Sequence, residues 1–388
     1  MDPYSDREEV TKQKPMTTKN EEKNFEGIYP SEKGYKMPPE WEPHQRTLLS
    51  WPVKKSMCHP DDYERVCKGM GLLALAIAAF EPVSVVVCPG ERERVEELIE
   101  SLKLEAAEAA SHRDDERGLH ELSFLEIPHN DAWLRDNGPT FVRNLKGELA
   151  GVNWRFNAWG GKYPEWDLDD KVAPQILSHY QVLCFNAPPV MEGGSFHTDG
   201  EGTLITTEEC LLNPNRNPDM SREEIEAELR RYLGIEKVIW LKKGLSGDET
   251  DGHVDNLACF AAPGKVLLQV CTDPEDENAA VTRECLDILS KATDARGRKL
   301  EVIPVAQPPR RDYEGDRLTL SYLNFYFVNG GIILPVFGGE AGETDRRAQQ
   351  TLEATFPHRK ISCFDGMALI KEGGNVHCTT QQMPASRV

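Results

Sequence analysis

TLITTEECLLNPNRNPDMSREEIEAELRRYLGIEKVIWL, residues 203–241, is the stretch on which the architecture turns. It reads as an apolar segment (TLITT), a short turn, a second apolar segment (CLLN), a helix and a closing strand (KVIWL). The helix carries its own limits. Ser221 and Glu224 are spaced as a capping box, Ile225, Leu229 and Leu233 share one face, and Gly234 stops the run. The order is ββαβ.

The same order returns along the chain. From Asn256, NLACFAA and KVLLQVC flank a turn at Pro263 and Gly264, a helix carries Val281, Cys285, Ile288 and Ala292, and KLEVIPV closes. From Leu323 come NFYFV, a turn over Asn329 to Gly331, IILPVFG, a helix through Ala348, Leu352 and Phe356, and KISCF. Upstream, TFVRN, ELAGVNWRF, a helix near Val172 to Tyr180 and QVLCFNA make a fourth copy. Arg46 to Cys88 supplies a fifth, split between the two ends of the chain. Five copies of one supersecondary unit imply a closed array in which each unit buries its face against the next. The alternative is an ordinary mixed α/β domain whose hairpins look alike by chance. MEGGSFHT (Met191 to Thr198) aligns without a gap on KEGGNVHC (Lys371 to Cys378), which strengthens the repeat and sets Glu192 and Cys378 at related places around an axis.

Composition narrows the function. The chain has 388 residues and a formal net charge of -20, which is large enough for a sizeable core and the wrong sign for nucleic acid or an anionic membrane. A small cationic partner fits better. The longest apolar run, around Leu72 to Phe80, is about half of the roughly 20 residues that cross a bilayer. Residues 1–25 are polar and lack the apolar core of a secretory signal, so they read as a disordered tail before a single domain over 26–388. None of the ten cysteines forms a Cys-x-x-Cys pair, and they read as reduced residues of a cytoplasmic protein.

The junctions between units hold the unusual polar residues: NDAWLRDNGP (Asn130 to Pro139), MEGGSFH (Met191 to His197), GDETDGHVDN (Gly247 to Asn256) and EGGNVHC (Glu372 to Cys378). Units arranged about an axis bring these junctions together. Such a set suits a guanidinium, a planar cation whose N–H fork carboxylates bind bidentately; Asp136, Glu192 and Asp255 are the candidates to hold it. Its carbon resists water, so a thiolate nucleophile helps, and Cys378 is the candidate, with its ionisation favoured beside a bound cation. His253 is placed to protonate departing ammonia and then to take a proton from water. On an extended segment His253 and Asp255 face the same way. Trp133 is placed to lie against the substrate chain or its cationic end.

Other readings stand beside these. A buried cysteine is usually a small apolar residue, as expected of Cys184, Cys210 and Cys363 in their strand-like runs. His253 and Asp255 have the His-x-Asp spacing of metal ligands, but no partner motif accompanies them. His197 and His377 read as structural, or as supports of the reacting residues from behind. Asp248, Glu249 and Asp251 form either a solvated loop or the ligands of a distal amine.

At these residues the sequence resembles the agmatine deiminases, guanidine-modifying enzymes of the five-bladed, pseudo-symmetric α/β-propeller (pentein) fold. The resemblance runs from MPPEWEPHQRTLLSWP at Met37 to CTTQQMPA at Cys378, through NDAWLRDNGPTFV, MEGGSFHTDG, TDGHVDN and GGNVHCTTQQ. It implies that Cys378 is the amidino-cysteine nucleophile, His253 the acid and base, and Asp136, Glu192 and Asp255 the guanidinium ligands, with Trp133 packed on the substrate. It further implies agmatine as substrate, N-carbamoylputrescine and ammonia as products in polyamine synthesis, no metal or cofactor, and a homodimer. A related deiminase of free or peptidyl arginine, and a non-catalytic propeller that binds cationic ligands, are the competing readings.

Overall fold

The capping box forms as read. Ser221 Oγ accepts from Glu224 N at 3.3 Å, Glu224 Oε2 accepts from Ser221 N at 2.7 Å, and the helix Arg222–Leu233 ends at Gly234 with φ of 70°. Ile225, Leu229 and Leu233 are buried on its inner face, where each contributes about 1.5–3 kcal/mol by leaving water. The helix returns the chain from Thr203–Thr207 to Lys237–Leu241, and these two strands pair in parallel.

One expectation within this unit fails. CLLN is not a strand: Glu208–Leu211 is a single helical turn, started by Thr207, whose Oγ1 accepts from Cys210 N. The antiparallel partner of Thr203–Thr207 is Phe196–Thr198, upstream. The connection is the tight turn after it, where Asp199 Oδ1 accepts from the backbone N–H groups of Glu201 and Thr203, both at 2.8 Å. A carboxylate that holds its own turn closed makes TDGEG the hairpin.

With that shift, five sheets share one topology, each with its first two strands antiparallel and its second and third parallel. Their strands are Thr140–Arg143, Leu149–Arg155 and Leu183–Val190; Phe196–Thr198, Thr203–Thr207 and Lys237–Leu241; Ala258–Ala262, Lys265–Val270 and Glu301–Ala306; and Tyr326–Val328, Gly331–Val336 and Lys360–Asp365. The fifth is split as expected. Thr380–Pro384 pairs antiparallel with His44–Ser50, which pairs in parallel with Val83–Val87. An extra strand, Leu122–Glu126, extends this sheet behind the helix Arg92–Ala109, an addition the repeat did not anticipate. Among the first strands of neighbouring sheets, Phe196–Thr198 contacts Ala258–Ala262 and Thr380–Pro384 contacts Thr140–Arg143, in agreement with an α/β propeller, while apolar clusters such as Ile77, Val85 and Ile333 fill the spaces between sheets and helices.

A computed structural model describes residues 28–109 and 118–386. The tail assigned to residues 1–25 lies outside them. No described helix is long and apolar enough to cross a membrane.

Candidate active site

Four short helical turns assemble the site. Leu134–Asn137, Gly193–Ser195, Val254–Asn256 and Val376–Thr379 each stand directly before the first strand of a sheet, and successive turns pack on one another. Equivalent points of a closed repeat must lie together, which is why residues so distant in sequence meet. His253 and Asp255 therefore belong to a tight turn and not to the extended segment expected; His253 sits at its N-terminal boundary. Asn324, two residues before Tyr326–Val328, takes the fifth place. Its Nδ2 donates to Cys378 Sγ at 3.1 Å and to Asn256 Oδ1 at 3.1 Å, and its Oδ1 accepts from His377 N at 3.0 Å.

The two EGG segments have a steric reason. A Cβ on Gly194 would lie 2.6 Å from His253 Nδ1 and 3.0 Å from Asp136 Oδ1, and a Cβ on Gly374 would lie 2.4 Å from Trp133 Cζ3 and 3.0 Å from Cys378 Cβ. Only glycine permits that approach.

Cys378 and Asp136 line one cavity with Trp133 and Trp159; Asp131, Tyr163, Glu249 and Glu372 line it as well. Asp136 is held by Gly194 N to Oδ1 and Trp159 Nε1 to Oδ2, both at 2.9 Å. Burial raises its carboxyl pKa, against the pull of His253. Cys378 Sγ lies 3.5 Å from Asp255 Oδ2. Burial and the charges of Asp255 and Asp136 push the thiol well above its ordinary range, so without a cation Cys378 is protonated.

Asp255 and His253 lie at the floor of the site, against Cys378 and Asp136. Burial opposes ionisation of Asp255, but the hydrogen bond from His377 Nδ1 at 2.9 Å together with the charges of His377, His253 and Arg135 outweighs it, and its carboxyl falls below the usual range. His377 continues to Glu40, with Nε2 2.9 Å from Oε1, so it links Asp255 to a buried carboxylate behind the site. His253 Nδ1 is 3.9 Å from Asp136 Oδ2 and Nε2 is 3.9 Å from Glu192 Oε2. Burial opposes its charge, yet Asp136 and its other partners raise it well above the ordinary value. Asp255 Oδ1 and His253 Nε2 are buried and have no hydrogen-bond partner among the described residues. Such groups are costly unless a ligand or a reaction uses them.

Two expected substrate ligands are placed elsewhere. Glu192 does not line the cavity; Arg216 Nε donates to its Oε1 at 2.8 Å and both are fully buried, so Glu192 is paired away from the substrate. Asp251 is taken by Lys162, Asn215 and Arg216 at 2.8, 2.9 and 2.6 Å. Glu249 and Trp133 do face the cavity. Among the cysteines grouped as core, Cys210 is buried but on a helical turn, Cys184 is half-buried and Cys363 is exposed. Glu192, Cys210 and His253 are the group among the described residues with metal-like spacing, their ligand atoms within 4.8 Å, and Arg216 already balances that carboxylate.

Arg216, Asn324, Trp159 and Glu372 escaped the sequence reading. Arg216 sits in a Pro- and Asn-rich loop, and Asn324 is one polar residue in an apolar run. Trp159 had a signal in AWGG, where Trp159 takes φ of 53° and Gly160 of 89°, a left-handed turn that aims the indole at Asp136.

Five ββαβ units with a thiol, an imidazole and carboxylates at their junctions define the enzymes that act on guanidinium groups. The family model of Porphyromonas-type peptidyl-arginine deiminases matches residues 36–384, and the chain belongs to that family. Within it, similar relatives carry a narrower name. The agmatine deiminase of Stutzerimonas stutzeri is 43% identical, over 92% of this chain and 97% of its own, and that of Pseudomonas aeruginosa is 42% identical, over 92% and 98%. The solved agmatine deiminase of Enterococcus faecalis superposes with a TM-score of 0.82 at 35% identity, over 93% of this chain and 99% of its own.

Proposed function

We propose that the chain hydrolyses agmatine to N-carbamoylputrescine and ammonia through a covalent intermediate on Cys378. One observation carries the choice of substrate: Asp131, Asp136, Glu249 and Glu372 line the cavity, and among the described residues that line it there is no Lys or Arg. Agmatine presents a guanidinium at one end and an ammonium at the other. The α-carboxylate of arginine would meet these carboxyl groups with no lining cation to balance it. The names of the similar relatives support the same reading.

In this reading Asp136 and Asp255 hold the guanidinium. The arriving cation favours the thiolate, and the Sγ proton leaves to solvent. Sγ attacks the guanidinium carbon to form a neutral tetrahedral adduct. His253, charged in the free enzyme, protonates one nitrogen, and ammonia departs to leave an amidinium thioether. The now neutral His253 takes a proton from water, whose oxygen adds to the same carbon. The C–S bond then breaks, the hydroxyl proton is lost, and the ureido product leaves with the thiolate regenerated. All ten cysteines are free, which supports assignment to the reducing cytoplasm.

Turnover of agmatine, arginine and a C-terminal arginine peptide, with product read by mass, tests the proposal. Agmatine is expected to react fastest; faster turnover of arginine reverses the assignment.

A further inference from the structure

Glu372 is not needed by the chemistry above, yet it is built into the cavity. It lies six residues before the nucleophile, at the end of the turn Ile370–Glu372, and is only 7% exposed. Its Oε2 accepts from His59 N at 3.2 Å, which fixes the side chain. Its Oε1 is buried and has no hydrogen-bond partner among the described residues. The neighbouring cation does not reach it: Lys371 Nζ lies 3.5 Å from Asp62 Oδ2 and 3.9 Å from the centre of the Tyr313 ring.

The position of Glu372 along the cavity follows from its neighbours. Exposed Cys58 marks the mouth, and Glu249, Glu372 and Asp131 all act on its thiol. Glu249 lies beside the same turn, its Oε2 3.1 Å from where a Cβ of Gly373 would be, and that oxygen already accepts from Tyr163 OH at 3.0 Å. Asp131 spends Oδ1 on Ala132 N at 2.7 Å. Of the three mouth carboxylates, Glu372 alone has its second oxygen both buried and without a hydrogen-bond partner among the described residues. A fixed, desolvated acceptor favours a cation with N–H donors and penalises a neutral or anionic group in its place.

We infer that Glu372 is a specificity-determining residue of this cavity, taking the terminal ammonium of the substrate on its free Oε1. The inference rests on the agmatine reading. The test compares agmatine with butylguanidine, which keeps the guanidinium and alkyl chain but lacks the ammonium, in the wild type and in Glu372→Gln. Gln keeps an acceptor for His59 N.

Glu372→Gln is expected to raise KM for agmatine by about tenfold or more, the usual size of a hydrogen bond to a charged group. It should leave kcat within about twofold and butylguanidine kinetics unchanged. Equal losses on both substrates, or an unmoved KM for agmatine, overturn the inference. Glu372→Asp keeps the charge and is expected to retain most of the preference for agmatine; an Asp variant as poor as the Gln variant points to a structural role and also overturns it. A wild-type enzyme that leaves agmatine untouched overturns the substrate reading and this inference with it. Agmatine turnover with an unmoved KM in Glu372→Gln overturns the inference alone.

Discussion

Arg216 Nε donates to Glu192 Oε1 at 2.8 Å, and neither side chain is exposed. Burial alone would raise the Glu192 carboxyl, but Arg216 and His253 together hold it below the usual range. The pair thus keeps a permanent anion 3.9 Å from His253 Nε2, where it favours the imidazolium that protonates the leaving group.

Removal of one partner leaves the other buried and unpaired. Arg216→Met is expected to cost about 3–5 kcal/mol of stability, read by denaturant unfolding, and to lower kcat more than it raises KM. A variant as stable as the wild type would show that the pair is not the buried ion pair described.

The protonated state of Cys378 predicts a reactivity pattern. Its thiol pKa lies well above the ordinary range in the free enzyme, so the thiolate fraction falls about tenfold for each pH unit below that value. Alkylation of Cys378 by neutral iodoacetamide should be slow at pH 7 and accelerate through the alkaline range, whereas cationic 2-chloroacetamidine should react much faster at pH 7 and be blocked by agmatine. Peptide mapping is needed because Cys58 and Cys363 are exposed. Cys378→Ser should lose turnover and keep its melting temperature; ammonia release at the wild-type rate would remove Cys378 from the mechanism.

The glycines that admit the site are testable by one methyl group. Gly194→Ala places a Cβ 2.6 Å from His253 Nδ1, and Gly374→Ala places one 2.4 Å from Trp133 Cζ3. Overpacking of this kind costs about 1–3 kcal/mol, and displacement of reacting groups by about 1 Å costs roughly 100-fold in rate. Both variants should fold with reduced stability and lose about 100-fold or more in kcat/KM; full activity in either would contradict the geometry.

Asp131 links stability to pH. Burial, and then Asp169, push its carboxyl up to about 8, against about 3.9 in an unfolded chain. A raised carboxyl keeps its proton better in the folded state, so its contribution is present below about pH 4 and is lost as pH rises to about 8. Asp131→Asn retains an acceptor for Ala132 N. Its melting temperature should gain on the wild type by a few degrees between pH 4 and pH 8; a constant difference across that range would refute the shift.

The units could be found in the sequence because each is set locally. The capping box at Ser221, the apolar face of Ile225, Leu229 and Leu233, and the turn at Pro263 and Gly264 are determined within a few residues, and the helices and most strands fall where those signals put them. CLLN misled because the choice between strand and helical turn was made by Asp199 and Thr207, whose hydrogen bonds close one turn and open another. Cys378, His253 and Asp136 could be named because the repeat places junctions together and their chemistry fits a guanidinium. The sequence did not determine which carboxylate is free. Glu192 and Glu372 stand at matching positions of the two EGG segments, yet Arg216, from a distant loop, consumes the first, while the second, at the cavity wall, keeps a buried oxygen without a hydrogen-bond partner among the described residues. Pairing of buried charges depends on which side chains arrive from elsewhere in the fold, and only the tertiary structure decides that.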